Sequence, residues 1–504
     1  MKQTGENSKK EKRKKVAFSL LFLVIFGICF VIAARLVERK DSRAKNSDYF
    51  DVAEQVDVLL LGSSHMINGI NPAILYEEYG IASYNLGGHG NTMQVTYWEL
   101  MNALDYGTPQ YVVIDTYLLE EDYQYIDLQT EDSTDEEKDA AVDQLHEVLD
   151  VFPLSRTKIA AIRDLLSSPS LRAEFVFDFI RYHSRWSELD VDDYAGVFGE
   201  PESSAILGAQ MRYEVETNIS LYGSIDSSEK MEVETVGKAY LRRIIETCLN
   251  HGIYPMIVQI PFSESEELQA IANSAQDIAD EYGITFINMN YVDDIIDPET
   301  DQQSQTHLNV AGAAKASSYL GNILSEVVGV PDRRGQEGYE AWDEAVEEYH
   351  DEIVEMILQP TDLYVELLAL EFNEVSAIIF INNDSVAFYD PTLQLLIEKL
   401  SGTMGITTMA NSNLAYCLIY DPGMDQIEET MGDVRFENIE TSFGVVNFTS
   451  LEDYALLSVG DDITVNELDY LNNTDIDVQI LLYDPETGEE IGHLYFDDAG
   501  IVQE

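Results

Sequence analysis

The chain has 504 residues, 45% hydrophobic and 24% charged, with 13 Pro and 30 Gly, which excludes a collagen-like or wholly disordered polymer and leaves room for two or three domains. Its charge is lopsided: 29 Lys and Arg face 93 Asp and Glu, and 12 of those bases lie before Asn46 beside only four acids. Residues 46–504 therefore carry 17 bases and 89 acids, a balance of −72, and a field of that sign repels phosphate backbones, so nucleic-acid binding by the folded part is not expected.

The first element is apolar. Residues 16–34 (VAFSLLFLVIFGICFVIAA) are nineteen consecutive uncharged positions, about the thickness of a bilayer's hydrocarbon core at ~1.5 Å per helical residue. The expectation is a basic cytoplasmic tail (1–15), a transmembrane helix (16–36) and a linker (37–50). Seven bases precede the apolar run and five follow it before Asn46, so the positive-inside rule places the amino terminus in the cytoplasm and the bulk of the chain outside the cell membrane. A cleaved signal peptide is the competing reading, although Ile32-Ala33-Ala34 fits a small-x-small cleavage site only loosely. Of the three cysteines, Cys29 sits within the apolar run, and Cys248 and Cys417 lie in different predicted domains, so no disulfide is expected.

From residue 51 onward, short apolar runs alternate with amphipathic stretches, the pattern of a parallel sheet covered by helices. Strands are expected over 57–61, 82–86, 111–115, 254–260 and 284–288, with helices over 72–79, 92–104, 236–249, 263–282 and 311–327. An insertion over 116–235, acidic and then helical, interrupts the alternation where it would overhang the carboxyl ends of the strands. After Pro331, Tyr339, Trp342, Val346, Tyr349, Ile353 and Met356 recur at three-four spacing and predict a docked linker helix within 331–359. A smaller mixed, β-rich accessory domain is expected over 360–504, with strands over 375–381, 414–420, 445–448 and 478–483 and a helix over 391–400.

Chemistry concentrates at the end of the first strand, Leu61-Gly62-Ser63-Ser64-His65. A strand ending in small residues before a helix presents a hydroxyl and backbone N–H groups at the sheet's carboxyl edge, which suits a nucleophile and part of an oxyanion hole. The second strand ends in the glycine-rich turn Gly87-Gly88-His89-Gly90-Asn91, whose backbone can approach a ligand closely. His307 opens the last helix of the α/β region and can return an imidazole over the first turn. No phosphate-binding loop with lysine, Cys-x-x-Cys pair or metal-ligand spacing is present, and no cofactor or metal is expected.

The runs LLLGSSHMINGINPAILYEEYGIASYNLGGHGN (59–91) and DPETDQQSQTHLNVAGAAKASSYLGNIL (297–324) resemble the SGNH, or GDSL-like, hydrolase superfamily. The likeness is to its membrane-anchored extracytoplasmic branch, which includes proteins similar to teichoic-acid D-alanine transfer and alginate or peptidoglycan O-acetyltransferase proteins. It covers roughly residues 51–330 and implies a flavodoxin-like, three-layer α/β/α domain. Carried over by position, it implies Ser64 as nucleophile, His307 as general base, and the N–H groups of Ser64 and Gly90 as oxyanion donors. His65, His89, Asn91 and Thr116 would line the substrate pocket, together with His183 and Arg185 from Tyr182-His183-Ser184-Arg185-Trp186, a segment that also resembles these proteins.

Two positions depart from the family pattern. The acid expected three residues before the histidine is Ser304, which leaves Asp301 as a candidate substitute, and no asparagine follows the third strand, which continues Asp115-Thr116-Tyr117. A Ser64–His307 dyad without a carboxylate is the remaining catalytic arrangement. Near the carboxyl terminus, residues 475–497 resemble the end of the interleukin-like EMT-inducer domain, a β-rich, lectin-like fold, and imply a glycan-binding or regulatory role.

The resemblance thus implies a serine esterase or O-acyltransferase that modifies cell-envelope polysaccharide or a teichoic-acid-like polymer, a transferase needing a multispanning membrane acyltransferase as partner. The alternative is a catalytically degenerate member that binds or scaffolds the polymer or that partner.

Overall fold

The computed structural model describes residues 2–38, 43–129, 133–198, 206–382, 385–409, 415–424, 426–431, 435–451, 454–460, 466–468 and 476–502. Helix α1 (Lys2–Val37) contains the stretch Lys14–Val37, long and apolar enough to cross a membrane. Helix α2 (Arg43–Val52) then leads into an α/β region, anchored by Tyr49, whose ring packs edge-on against Tyr84.

Five strands form a wholly parallel sheet: β1 (Val58–Leu61), β2 (Ser83–Asn85), β3 (Tyr111–Asp115), β4 (Tyr254–Gln259) and β5 (Thr285–Asn288), in the order β2-β1-β3-β4-β5. The order reverses between β1 and β3, and in open parallel sheets ligands bind beyond the carboxyl ends of the strands at such a point. Strand β1 is apolar at every position because both its faces are covered. Leu59 and Leu61 join a core with Leu100, Leu241 and Ile244, whereas Val58 and Leu60 face Met66, Leu75 and Leu320 on the other side.

Helices α3 (Ser64–Gly69) and α4 (Pro72–Tyr79) follow β1, and α5 (Met93–Ala103) follows β2. The bounds of α4 are set locally: Asn71 caps the Ala73 N–H, Pro72 occupies the first turn, and Gly80 ends the helix in a left-handed conformation. The insertion carries α6 (Asp135–Leu149), α7 (Arg156–Leu165), α8 (Pro169–Val176), α9 (Phe179–Tyr182) and α10 (Val191–Phe198). Its first two helices pack on the outer face of α5, where Val95 and Trp98 meet Val142, Leu145 and Ile162, and Gln144 of α6 reaches the Gly90 turn beyond the strand ends. Its later part also returns to the sheet's carboxyl edge, where the Asn85 N–H donates to Leu207 and the Gln210 N–H to Ile67.

Helix α11 (Val236–Asn250) precedes β4. The single helix expected over 263–282 is two, α12 (Glu266–Asn273) and α13 (Ala275–Tyr282). Ser265 caps the first through the Leu268 N–H, and the Ser274 hydroxyl bonds back to the Ile271 carbonyl between them. A two-stranded ladder, β6 (Gln302–Ser304) with β7 (His307–Leu308), then leads into α14 (Val310–Asn322), which continues as a π-helical turn, Ile323–Val328.

Helix α15 (Glu340–Leu358) is docked along its length: Trp342, Tyr349, Ile353 and Ile357 are buried, and the Trp342 indole donates to the Ser83 carbonyl at 2.8 Å. The carboxyl-terminal region comprises α16 (Leu363–Leu370), β8 (Ser376–Ile381), α17 (Pro391–Ser401), α18 (Gly405–Met409), β9 (Tyr416–Asp421), β10 (Gln426–Met431), β11 (Arg435–Thr441), β12 (Gly444–Leu451), β13 (Tyr454–Val459), β14 (Asn466–Leu468), β15 (Val478–Tyr483) and β16 (Glu490–Phe496). One antiparallel sheet runs β10-β9-β8-β15-β16 and a second β11-β12-β13-β14. The first sheet carries α16 and α17 on one face and the second sheet on the other, where Phe380 and Leu481 meet Phe448 and Leu457. Ile74 and Ala313 of the α/β region share one apolar core with Leu368, Leu396 and Leu400 of the carboxyl-terminal region, so the two are packed together and not strung on a flexible linker.

Candidate active site

The turn after β1 places Ser64 at the sheet's carboxyl edge. Gly62 is required there because a Cβ would lie 2.6 Å from the Asp115 Cβ on β3. Ser63 caps α3, accepting from the His65 N–H at 3.2 Å while its hydroxyl donates to Asp115 at 3.3 Å. This holds the backbone that aims Ser64. From the other end of the α/β region, the β6–β7 ladder brings His307 over the turn, and its Nε2 is 2.8 Å from the Ser64 Oγ. Two residues 243 apart in sequence thus form one hydrogen bond.

The other ring nitrogen meets hydroxyls. His307 Nδ1 lies 2.9 Å from Ser304 Oγ and 3.0 Å from Thr306 Oγ1. With Ser64 donating to Nε2, Nδ1 carries the proton and a hydroxyl oxygen accepts it, so the productive tautomer is held without a negative charge. Burial lowers the His307 pKa, and the nearby charges of His89 and Arg212 lower it further. The ring is therefore neutral, and able to take a proton, at neutral pH.

Asp301 does not reach the imidazole. It is fully buried and turned away, accepting from Lys315 at 2.6 Å, from Lys399 at 2.7 Å and from the Asp297 N–H at 2.7 Å. Burial alone would raise its pKa, but Lys399 and Lys315 hold it below the ordinary carboxylate value. The expected substitute acid is thus an ionised anchor for the loop that carries His307. Because Lys399 lies on α17, the carboxyl-terminal region takes part in that anchor.

Gly90 has a left-handed conformation (φ +63°), and a Cβ there would lie 2.5 Å from the Gln144 side chain of α6. Among the described residues, neither the Ser64 nor the Gly90 N–H has a hydrogen-bond acceptor. Asn91 turns its amide to Glu99 at 2.8 Å and so braces the glycine-rich turn. Thr116 is buried, its hydroxyl bonded to Gln259. His89 bonds to Gln210 at 2.9 Å and approaches Arg212 at 3.5 Å. His65 is stacked on Tyr117 (3.6 Å between centroids), edge-on to Phe262 (4.6 Å) and 5.3 Å from His307. Its burial keeps its pKa well below the ordinary histidine value. Beneath the site, burial pushes the carboxyls of Asp115 up to about 7 and Glu264 up to about 8.

Two residues expected in the pocket lie elsewhere. His183 is exposed and its Nδ1 bonds to the Ile180 carbonyl at 2.8 Å, while Arg185 reaches the end of α1 and donates to the carbonyls of Val37 and Glu38 at 3.0 Å each. Sequence reading missed Arg212, Tyr117, Phe262, Thr306 and Lys399, because each owes its place to a loop path or a domain contact and not to local periodicity. A cavity of about 660 Å³ opens at the amino ends of β3, β4 and β5, the opposite edge of the sheet from Ser64. Smaller cavities abut the site: one of about 210 Å³ is lined by Gly90, Asn91, Gln144 and Tyr123, and one of about 170 Å³ by Phe262, Glu264 and Tyr222. Comparison with protein-family models and with curated protein sequences finds no match to this chain.

Proposed function

We propose that this chain is a membrane-anchored, extracytoplasmic serine esterase or O-acyltransferase of SGNH-like type that acts on cell-envelope glycopolymers. The observation that carries this reading is the 2.8 Å bond between Ser64 Oγ and His307 Nε2 beyond the carboxyl ends of a parallel sheet. Ser64 Oγ attacks the acyl carbonyl as its proton passes to Nε2, and the oxyanion develops toward the Ser64 and Gly90 N–H groups. Collapse breaks the ester C–O bond, and the leaving alcohol takes the proton from Nε2. Water, or a polymer hydroxyl, then reverses these steps on the acyl-serine and releases acid or a new ester.

The anchored reading draws on the far end of α1. Phe30, which precedes Ala34, packs on Phe177 and Phe179, so removal of a leader at Ala34 would strip a contact built into the fold. An external transferase needs an activated acyl donor, which implies a multispanning acyltransferase in the same membrane. The second reading, a binding protein on the same scaffold, is favoured by one observation: hydroxyls, not a carboxylate, face Nδ1.

The test is a fluorophosphonate on the purified full-length protein, read by intact mass and peptide mapping. The expected result is one adduct on Ser64, absent from Ser64→Ala. A folded protein that takes no label favours the binding reading.

Arg212 has no ion-pair partner among the described residues and bears on His307 electrostatically. A polymer carrying phosphate or carboxylate would place its charge there. Arg212→Gln is expected to raise KM roughly 10-fold for an anionic ester, the scale of a ~1.4 kcal/mol interaction, and to leave a neutral ester's KM unchanged. Because Arg212 helps to depress the His307 pKa, the acid limb of the rate profile should also move to higher pH. Equal effects on both esters would remove Arg212 from substrate recognition.

A further inference from the structure

The later helices of the insertion take no part in this chemistry, yet they expose large apolar side chains next to α1. Phe177, Ile180, Trp186, Val191 and Phe198 are 47%, 45%, 50%, 80% and 67% exposed. Scattered surface hydrophobics need no explanation, but a cluster on one short stretch of chain marks a contact surface. This cluster is continuous with α1. The Phe30 ring stacks on Phe177 at 5.8 Å and meets Phe179 edge-on at 5.0 Å, while Arg185 holds the carbonyls that end the helix.

The position of Phe30 sets a depth. It precedes Val37 by seven residues, about 10 Å along a helix rising ~1.5 Å per residue. A ring packed on Phe30 therefore lies about that far inside the outer end of the helix, within the apolar stretch itself. An exposed Trp186 beside the outer end of the apolar helix suits the membrane interface.

We propose that residues 176–198 form a membrane-embedded platform, with apolar side chains among the acyl chains of the outer leaflet. The inference rests on the reading of α1 as a membrane anchor. The α/β region then rides on the bilayer surface in a fixed orientation and is not suspended from a tether, so Ser64 acts on polymer presented close to the membrane.

The chain's three tryptophans make the test direct, since Trp98 and Trp342 are buried and Trp186 is half exposed. Full-length protein would be reconstituted into vesicles of phosphatidylcholine and phosphatidylglycerol, with and without bromine on the acyl chains. Brominated lipid is expected to remove most of the Trp186 emission, and Trp186→Phe should show none of that loss. If the protein resists alkaline carbonate extraction but Trp186 is quenched by aqueous iodide and not by brominated lipid, the anchor stands and the platform is overturned. If carbonate extracts the protein, the anchor reading fails and the platform with it.

Discussion

Ser304→Asp is expected to raise the rate of fluorophosphonate labelling at Ser64, and of aryl-ester turnover, by roughly 10²-fold. In a Ser-His-Asp site, losing the charge of the acid while keeping its shape costs about 10⁴ in kcat, because the imidazolium is no longer stabilised and the tautomer is wrong. Here the tautomer is already served by the Ser304 and Thr306 hydroxyls at 2.9 and 3.0 Å, so only the charge is missing and the gain is smaller than that bound. A carboxylate at this position would also raise the His307 pKa, which burial now holds low, and the acid limb of the rate profile should shift to higher pH. A folded variant with unchanged rate and unchanged profile would show that His307 is not the base, and an inert variant would favour the binding reading.

Asp301→Ala should be the most destabilising single change near the site, by about 3–5 kcal/mol, the usual consequence of removing one partner from a buried ion-pair cluster. It leaves the Lys315 and Lys399 ammonium groups facing each other, and it frees the Asp297 N–H and the loop that holds His307. Chemical denaturation of the full chain reads the stability. Lys399→Met separates the functional consequence from simple unfolding, because it keeps the stem that packs on the loop and removes only the charge from α17. Its expected signature is a fall in kcat of about 10-fold with KM unchanged, the scale of a slightly misplaced base. If Lys399→Met reacts like the parent protein, the carboxyl-terminal region does not position His307.

The same cluster gives the stability a pH dependence of definite sign. Asp301 is held below its unfolded value, so its contribution is full above about pH 4 and is lost as pH falls through the folded value. Asp301→Asn should abolish that acid-sensitive component, and an unaltered acid transition would show that the ion pairs with Lys315 and Lys399 contribute nothing.

Much of the α/β region was legible because its signals are local. A strand such as Val58–Leu61, apolar on both faces, and a helix bounded by Asn71 and Gly80 are specified within a few residues. The turn residues that offer Ser64 are local as well. Strands of the carboxyl-terminal region such as Gln426–Met431 (QIEETM) were not, because this is an edge strand in which polar residues face outward and only the pairing with Tyr416–Asp421 makes it extended. The insertion was legible only in part for a similar reason: the pattern of its helices shows which faces are apolar but not which of them α5, α1 or the strand ends will cover.

The sequence by itself determined the apolar amino-terminal helix, the βα alternation, and the presence of Ser64, Gly90 and His307 at turns where small or polar residues must stand. Tertiary structure alone decided which partner each received. Asp301, three residues nearer the amino terminus than Ser304, went to two lysines, one from the far region of the chain, and His307 was left with hydroxyls. Arg185 went to the end of the first helix instead of the pocket. The physical reason is that a buried carboxylate takes the nearest cations the packed core delivers, and which cations those are depends on contacts between residues about a hundred positions apart.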